Sequence, residues 1–271
     1  MSADTIRRQL QSLCLTPNRA LGQNFLADDG AARAIAEAAC LPDLPVLEIG
    51  PGLGALTEKL LACAARVTAV ELDEAMVGAL QSEFMSDVRL ALVHADFLKF
   101  NLEGYARDEG AYCAAGNLPY YVTTPICMKL LSCSILPARM ALMVQKEAAA
   151  RFTARIGTKL YGPLSVLSQL YYAYETLMTL SPAQFYPQPE VDSAVLVFVR
   201  KENVPPVASL PKLLEAAFAM RRKTLANNLR AARFDREEVA ALLASLGIPE
   251  NARAEQVEPA LFARLARSVS L

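Results

Sequence analysis

Asn117-Leu118-Pro119-Tyr120 brings together a neutral carboxamide, a proline-fixed backbone and an aromatic ring. The Asn117 side chain offers an oxygen that accepts an N–H bond without bringing a charge to desolvate. Leu118 precedes Pro119 and is therefore held extended, so its carbonyl can aim at the same amine as a second acceptor. Tyr120 adds a ring on which a base can stack. Two acceptors aimed at one exocyclic amine draw it out of conjugation and free its lone pair to attack an electrophile, which is the chemistry of N6-adenine methylation. Alone, the tetrapeptide is also a plausible turn, so its meaning depends on what the rest of the chain places beside it.

A second constellation starts at Val46-Leu47-Glu48-Ile49, which runs into Gly50-Pro51-Gly52-Leu53-Gly54 and then into a helical pattern. Glycines at a strand-to-helix turn let the backbone approach a ligand and present amide groups at the helix start. Gly50, Gly52 and Ala55 also satisfy the dinucleotide pattern G-x-G-x-x-A, so NAD remains a rival ligand at this point. Roughly 20 residues on, Glu71 stands where a carboxylate bonds ribose hydroxyls. After the next strand, Asp96 can accept from the amino group of a cofactor adenine and Phe97 can cover its ring. Asn117 closes a fourth strand. Four successive strands thus deliver candidate ligand-binding residues to one sheet edge, where open α/β folds bind ligands.

The elements that must position these groups follow from the apolar pattern. Between Leu44 and Arg200, short β-like runs alternate with helical periodicity, the signature of a mostly parallel sheet covered on both faces. The expected strands are Val46–Ile49, Arg66–Val70, Val88–Val93, Tyr112–Ala115, Met140–Val144, Leu177–Leu180 and Val191–Val199, the last one a candidate antiparallel strand. Helices are expected near Leu56–Cys63, Glu74–Phe84, Pro125–Cys133, Gln145–Phe152 and Leu164–Tyr172. The charged, proline-bearing stretch Arg200–Pro206 reads as a linker. Beyond it the patterns are helical only, at Leu210–Met220, Thr224–Ala232, Arg236–Leu246 and Pro259–Val269. The division expected is a catalytic domain over residues 1–203 and a small all-helical domain over residues 204–271.

Composition limits the alternatives. The 271 residues are 54% hydrophobic and 20% charged, enough to bury a sizeable core and too apolar for long disordered tails. No apolar run reaches the ~18 residues that span a bilayer, and the N-terminus mixes Asp4, Arg7 and Arg8 instead of a signal peptide's apolar stretch. A soluble, unprocessed, cytoplasmic protein is expected. Six cysteines are scattered without the close pairs of zinc or redox motifs, so reduced, mostly buried thiols are expected. His94 is the only histidine, which leaves histidine-dependent hydrolase and zinc chemistry poorly supplied; no metal is expected. The net charge is −1, yet Pro211–Arg233 carries six basic residues against one acid, leaving −6 for the remainder. That segment is either a solvated helix face or a phosphate contact.

The ordered set Glu48-Ile49-Gly50-Pro51-Gly52, Glu71-Leu72-Asp73, Asp96 and Asn117-Leu118-Pro119-Tyr120 resembles the Rossmann-type S-adenosylmethionine methyltransferases that modify ribosomal RNA adenines. Leu21-Gly22-Gln23-Asn24-Phe25-Leu26, Gln145-Lys146-Glu147, Gly157-Thr158-Lys159, Phe185-Tyr186-Pro187-Gln188-Pro189-Glu190-Val191-Asp192-Ser193-Ala194 and Arg221-Arg222-Lys223-Thr224-Leu225 extend it from about Leu21 to about Ala266. The full pattern is similar to the branch of the rRNA adenine N6-methyltransferase family that dimethylates two adjacent adenosines in a hairpin loop near the 3′ end of bacterial small-subunit RNA. Pro163, where many relatives carry a basic or polar residue, and the mildly acidic total charge depart from that pattern. The resemblance implies a Rossmann-like class I fold with a seven-stranded, mostly parallel sheet. It also implies S-adenosylmethionine consumed as methyl donor, and Asn24 and Leu26 as pocket residues beside Gly50, Glu71, Asp96 and Asn117. Phe185 is implied to sit beside the acceptor base, although a core phenylalanine at a strand start reads equally well. The implied partner is small-subunit rRNA or a pre-assembled small subunit, with a monomer expected.

The mechanism expected is a flipped adenosine held through N6 by Asn117 and the Leu118 carbonyl and stacked on Tyr120. No general base is evident or required, because the methylated amine is a strong acid that releases its proton to water. Neutral Asn117 can also accept the one N–H left for a second cycle. The rivals are the large-subunit adenine dimethyltransferases of macrolide resistance, a DNA adenine methyltransferase, an NAD enzyme and a mainly non-catalytic ribosome assembly factor.

Overall fold

Runs such as Val46-Leu47-Glu48-Ile49 and Val67-Thr68-Ala69-Val70-Glu71 lack a polar face and are buried along their whole length, as strands covered on both sides must be. In the computed structural model, which describes residues 1–268, they lie in a seven-stranded sheet. Its strands are β1 (Val46–Ile49), β2 (Val67–Glu71), β3 (Leu90–His94), β4 (Cys113–Asn117), β5 (Arg139–Gln145), β6 (Tyr172–Leu180) and β7 (Ser193–Arg200). Their spatial order is 3-2-1-4-5-7-6. Strands β1 to β5 pair in parallel with their neighbours, and β7 runs antiparallel to β5. The order reverses between β1 and β4, which lie side by side with Glu48 opposite Ala115. Chains leaving those two strands diverge, and a crevice opens at their carboxyl ends.

The helices beside the crevice are capped by side chains that also tie it together. Asp73 accepts from the Ala75 N–H at the start of the helix Glu74–Glu83, and Asp28 from the Ala31 N–H at the start of Asp29–Ala39. Phe25–Leu26 pairs antiparallel with Phe185–Tyr186 as a separate two-stranded ribbon.

Strand β6 starts at Tyr172, well before Leu177. Its added residues include the exposed Ala173, Glu175 and Thr176, so this edge strand carries no continuous apolar run to reveal its length. Two compact units divide the chain: residues 1–149 with 173–200, and 150–172 with 201 onward. This differs from the linear division at residue 203, because the helix Pro163–Tyr171 and the loop before it belong with the C-terminal helices. Within that unit Gly157 N–H donates to the Glu255 carbonyl at 2.7 Å, the buried Tyr161 hydroxyl to the Val257 carbonyl at 2.8 Å, and Lys201 N–H to the Tyr171 carbonyl at 2.9 Å. The later helices are Leu210–Phe218, Leu225–Ala231, Arg236–Ser245 and Pro259–Ser268; Val269, expected to end the last one, lies outside the described residues.

Cys40 and Cys63, which their spacing gave no reason to pair, lie with their sulfurs side by side. They sit at the C-terminal ends of the helices Asp29–Ala39 and Ala55–Cys63, and only the packing of those helices brings them together. Cys113, Cys127 and Cys133 are free and buried, and Cys14 is free and exposed. Among the described residues no helix is long and apolar enough to cross a membrane.

Candidate functional site

The glycine turn after β1 is held open by positive backbone angles, with φ of +67° at Gly50 and +57° at Gly52, a region that costs other residues strain. Gly50 N–H donates to the Val70 carbonyl, which ties the turn to β2. A side chain at Gly52 would also meet the Phe25 ring at 3.0 Å. Glu71, at the end of β2, faces the same turn. Its carboxylate accepts the N–H of Gly52 at 3.0 Å, Leu72 at 2.8 Å and Asp73 at 2.9 Å. Burial pushes its pKa up, and the three N–H donors oppose that by favouring the charged form. A carboxylate has about four lone-pair sites, so acceptor capacity remains for a ligand's hydroxyls.

At the end of β4 the Asn117 Nδ2 donates to the Asn24 carbonyl at 2.8 Å. That bond sets which end of the carboxamide is which and leaves Oδ1 as the acceptor. Asn24 in turn donates from Nδ2 to the Gly22 carbonyl at 3.1 Å, and Gln23 Nε2 bonds Asp73 at 2.8 Å. The segment Gly22–Leu26 is thereby anchored to both sides of the crevice. Leu118 is buried and donates its N–H to the Met143 carbonyl at 3.0 Å. The Tyr120 hydroxyl shares a 2.7 Å bond with Ser193 at the start of β7, which pins the ring, and burial raises its pKa.

Asn24, Leu26, Gly50, Glu71, Asn117, Leu118 and Tyr120 line one cavity. Two expected residues stand elsewhere. Asp96 follows β3 outside that lining, where its Oδ1 accepts the Leu98 N–H at 2.8 Å, and Ala95 beside it donates to the Glu71 carbonyl. Phe185 is 1% exposed and packs in the hydrophobic core with Leu26 and Ile35, also outside the lining.

Three lining residues stand out among those to which the sequence assigned no role. Tyr121, 56% exposed, lies against Gly22 at the mouth. Gln23 carries the bond to Asp73. Glu48 is fully buried in β1, and burial raises its carboxyl to about 8. Glu48 Oε2 and Thr57 Oγ1 are both buried without a hydrogen-bond partner. An acid inside an apolar β-run was the available signal for Glu48.

The pattern of the family described as ribosomal RNA adenine dimethylase matches residues 15–270. The ribosomal RNA small subunit methyltransferase A of Geobacillus kaustophilus is 40% identical over 266 residues, covering 93% of this chain and 90% of the relative. A dimethyladenosine transferase from Plasmodium falciparum superposes with a TM-score of 0.71 at 24% identity, over 89% of this chain and 95% of its own. The 23S rRNA methyltransferase ErmE superposes with a TM-score of 0.63 at 28% identity, over 91% of this chain and 99% of its own. The fold is thus that of the Rossmann-like class I methyltransferases, with further helices at the C-terminal end.

Proposed function

The chain belongs to the ribosomal RNA adenine dimethylase family, and from that premise we propose that it dimethylates N6 of two adjacent adenosines in a hairpin loop near the 3′ end of small-subunit rRNA during ribosome assembly. It acts on naked RNA or a pre-assembled small subunit, as a cytoplasmic monomer. The observation that carries the reading is the Asn117 carboxamide, whose Nδ2 is spent on the Asn24 carbonyl so that Oδ1 is left to accept.

The residues present fit S-adenosylmethionine. Glu71 lies opposite the glycine turn with acceptor capacity for ribose hydroxyls, and Asn24, Leu26 and Gly50 complete the walls. Asp96 with Phe97 holds the adenine at the neighbouring strand end. When bound, S-adenosylmethionine supplies an electrophilic methyl group. The chain's own contribution is positional: Asn117 Oδ1 and the Leu118 carbonyl accept from the target amine, and Tyr120, pinned by Ser193, stacks on the base. Holding the amine fixed against a methyl donor contributes much of the rate without a proton acceptor, and the product's proton passes to water. Arg222 and Lys223 are exposed and available to RNA phosphates, whereas Arg221 is engaged by Glu255 at 3.0 Å. The much closer likeness to the Geobacillus relative than to ErmE favours the small-subunit substrate.

Incubation with labelled S-adenosylmethionine and, separately, small subunits, large subunits and DNA tests the reading. The expected product is N6,N6-dimethyladenosine in small-subunit rRNA by mass spectrometry; label only in large subunits or DNA overturns it.

A further inference from the structure

The helix Thr123–Leu131 starts directly behind the Asn117–Tyr120 loop, and the Thr123 hydroxyl donates to the Pro119 carbonyl at 3.1 Å. Near the other end of that helix, Lys129 Nζ reaches the carbonyls of Phe97 at 2.9 Å, Leu98 at 2.8 Å and Phe100 at 2.5 Å. It also lies 5.6 Å from the centre of the Phe97 ring. An ammonium has three N–H donors, and here each has an acceptor from one five-residue loop.

That loop is closed from the other side by Asp96. Its carboxylate takes the Leu98 N–H, and its backbone carbonyl takes the N–H groups of Lys99 and Phe100 at 2.9 Å each. Folding the turn this way points three carbonyl dipoles at one spot, an arrangement that repels itself unless a cation sits at the focus. Burial draws the Lys129 pKa down and the Asp96 charge opposes it; the geometry calls for the ammonium form.

We propose that Lys129 is a positioning residue that holds the loop Asp96–Phe100 in the shape that recognises the cofactor's adenine. This rests on the reading of Asp96 and Phe97 as the adenine site. Lys129 touches neither reactant and acts through the backbone that carries Asp96 and Phe97. One helix therefore braces both halves of the reaction, Thr123 the acceptor loop and Lys129 the cofactor loop.

The test compares S-adenosylhomocysteine with S-inosylhomocysteine, which carries an oxo group in place of the adenine amine, by calorimetry on the full chain. The wild type is expected to prefer the adenosyl ligand by about tenfold or more, the scale of one buried hydrogen bond lost. In Lys129→Met the adenosyl ligand should weaken by about tenfold, the inosyl ligand by much less, and the preference should approach unity. Lys129→Arg should restore part of it, and KM for the methyl donor should rise with kcat nearly unchanged. Adding Lys129→Met to Asp96→Ala should remove no further preference. If Lys129→Met does not fold by thermal melt, Lys129→Gln, which keeps two donors without the charge, carries the same comparison. A folded variant that keeps the wild-type preference overturns the role of Lys129. A wild type that binds both ligands equally overturns the adenine reading of Asp96 instead, and this inference with it.

Discussion

Glu48 makes the stability of this protein depend on pH in a direction opposite to that of an ordinary ion-paired carboxylate. It is 1% exposed in a central strand, with Oε2 unpartnered, and its pKa rises from the usual 4.5 to about 8. A group whose folded pKa lies above its unfolded value binds the extra proton in the folded state, so stability is complete below 4.5 and is lost as pH climbs towards 8. At about 1.4 kcal/mol per pH unit, the whole window sets a ceiling of roughly 5 kcal/mol, and the interval from pH 6 to 8 a ceiling of roughly 3 kcal/mol. Local relaxation and water entry reduce such penalties, so about half the ceiling is expected. In a chain this long each kcal/mol moves the melting temperature by about 2–4 °C, so the wild type should melt roughly 3–6 °C lower at pH 8 than at pH 6. Glu48→Gln, which keeps the shape and removes the titration, should lose most of that difference and melt above the wild type at pH 8. Burial also raises the Glu71 pKa, so a smaller slope of the same sign should persist in the variant. The decisive measurement is thermal melting of both proteins at pH 6, 7 and 8; equal slopes would refute the assignment of the titration to Glu48.

Asn117→Ala should lower methyl transfer by about 10²–10³-fold or more, the cost of removing one acceptor from the reacting centre, with binding of S-adenosylhomocysteine weakened at most slightly; near-wild-type dimethylation would remove Asn117 from the mechanism. For Glu71→Ala, isothermal calorimetry should show S-adenosylhomocysteine affinity reduced about 10- to 100-fold, the scale of a lost charge-assisted hydrogen bond, and an unchanged Kd contradicts the ribose role. Arg222→Ala with Lys223→Ala should reduce the salt dependence of RNA binding by up to about two phosphate contacts, whereas Arg221→Ala should act chiefly on stability through its lost bonds to Glu255 and the Tyr161 carbonyl. An unchanged salt slope in the double variant would make those two residues a solvated face.

What was legible in the sequence was whatever a residue type alone restricts. The apolar runs of β1, β2 and β4 have no solvated face and so betray a buried parallel sheet. Glycines at 50 and 52 and a carboxylate at 71 are poor choices for packing, which is why they stand out. Residues that are unremarkable in either setting stayed ambiguous: Phe185 suits a stacking site and a core equally, and only the pairing of Phe25–Leu26 with Phe185–Tyr186 buries it. Gln23 carries no local sign of its partner because Asp73 is 50 residues away. The closeness of Cys40 to Cys63 and the membership of residues 150–172 with the C-terminal helices are likewise settled by packing between distant segments.

The same distinction explains why the Asn117 loop is readable and its orientation is not. Four residue types suffice to suggest an amine holder, yet a carboxamide has a donor end and an acceptor end, and either can face a ligand. Here the choice is made by a backbone carbonyl 93 positions earlier in the chain, at Asn24, which takes the Nδ2 donor. Asn24 is held by its own bond to Gly22, and the segment is tied to Asp73 through Gln23. In the proposed mechanism the chemistry of Asn117 thus depends on a strap that makes no contribution to the amine itself, and loosening Gln23 or Asn24 should degrade catalysis by letting the amide turn over.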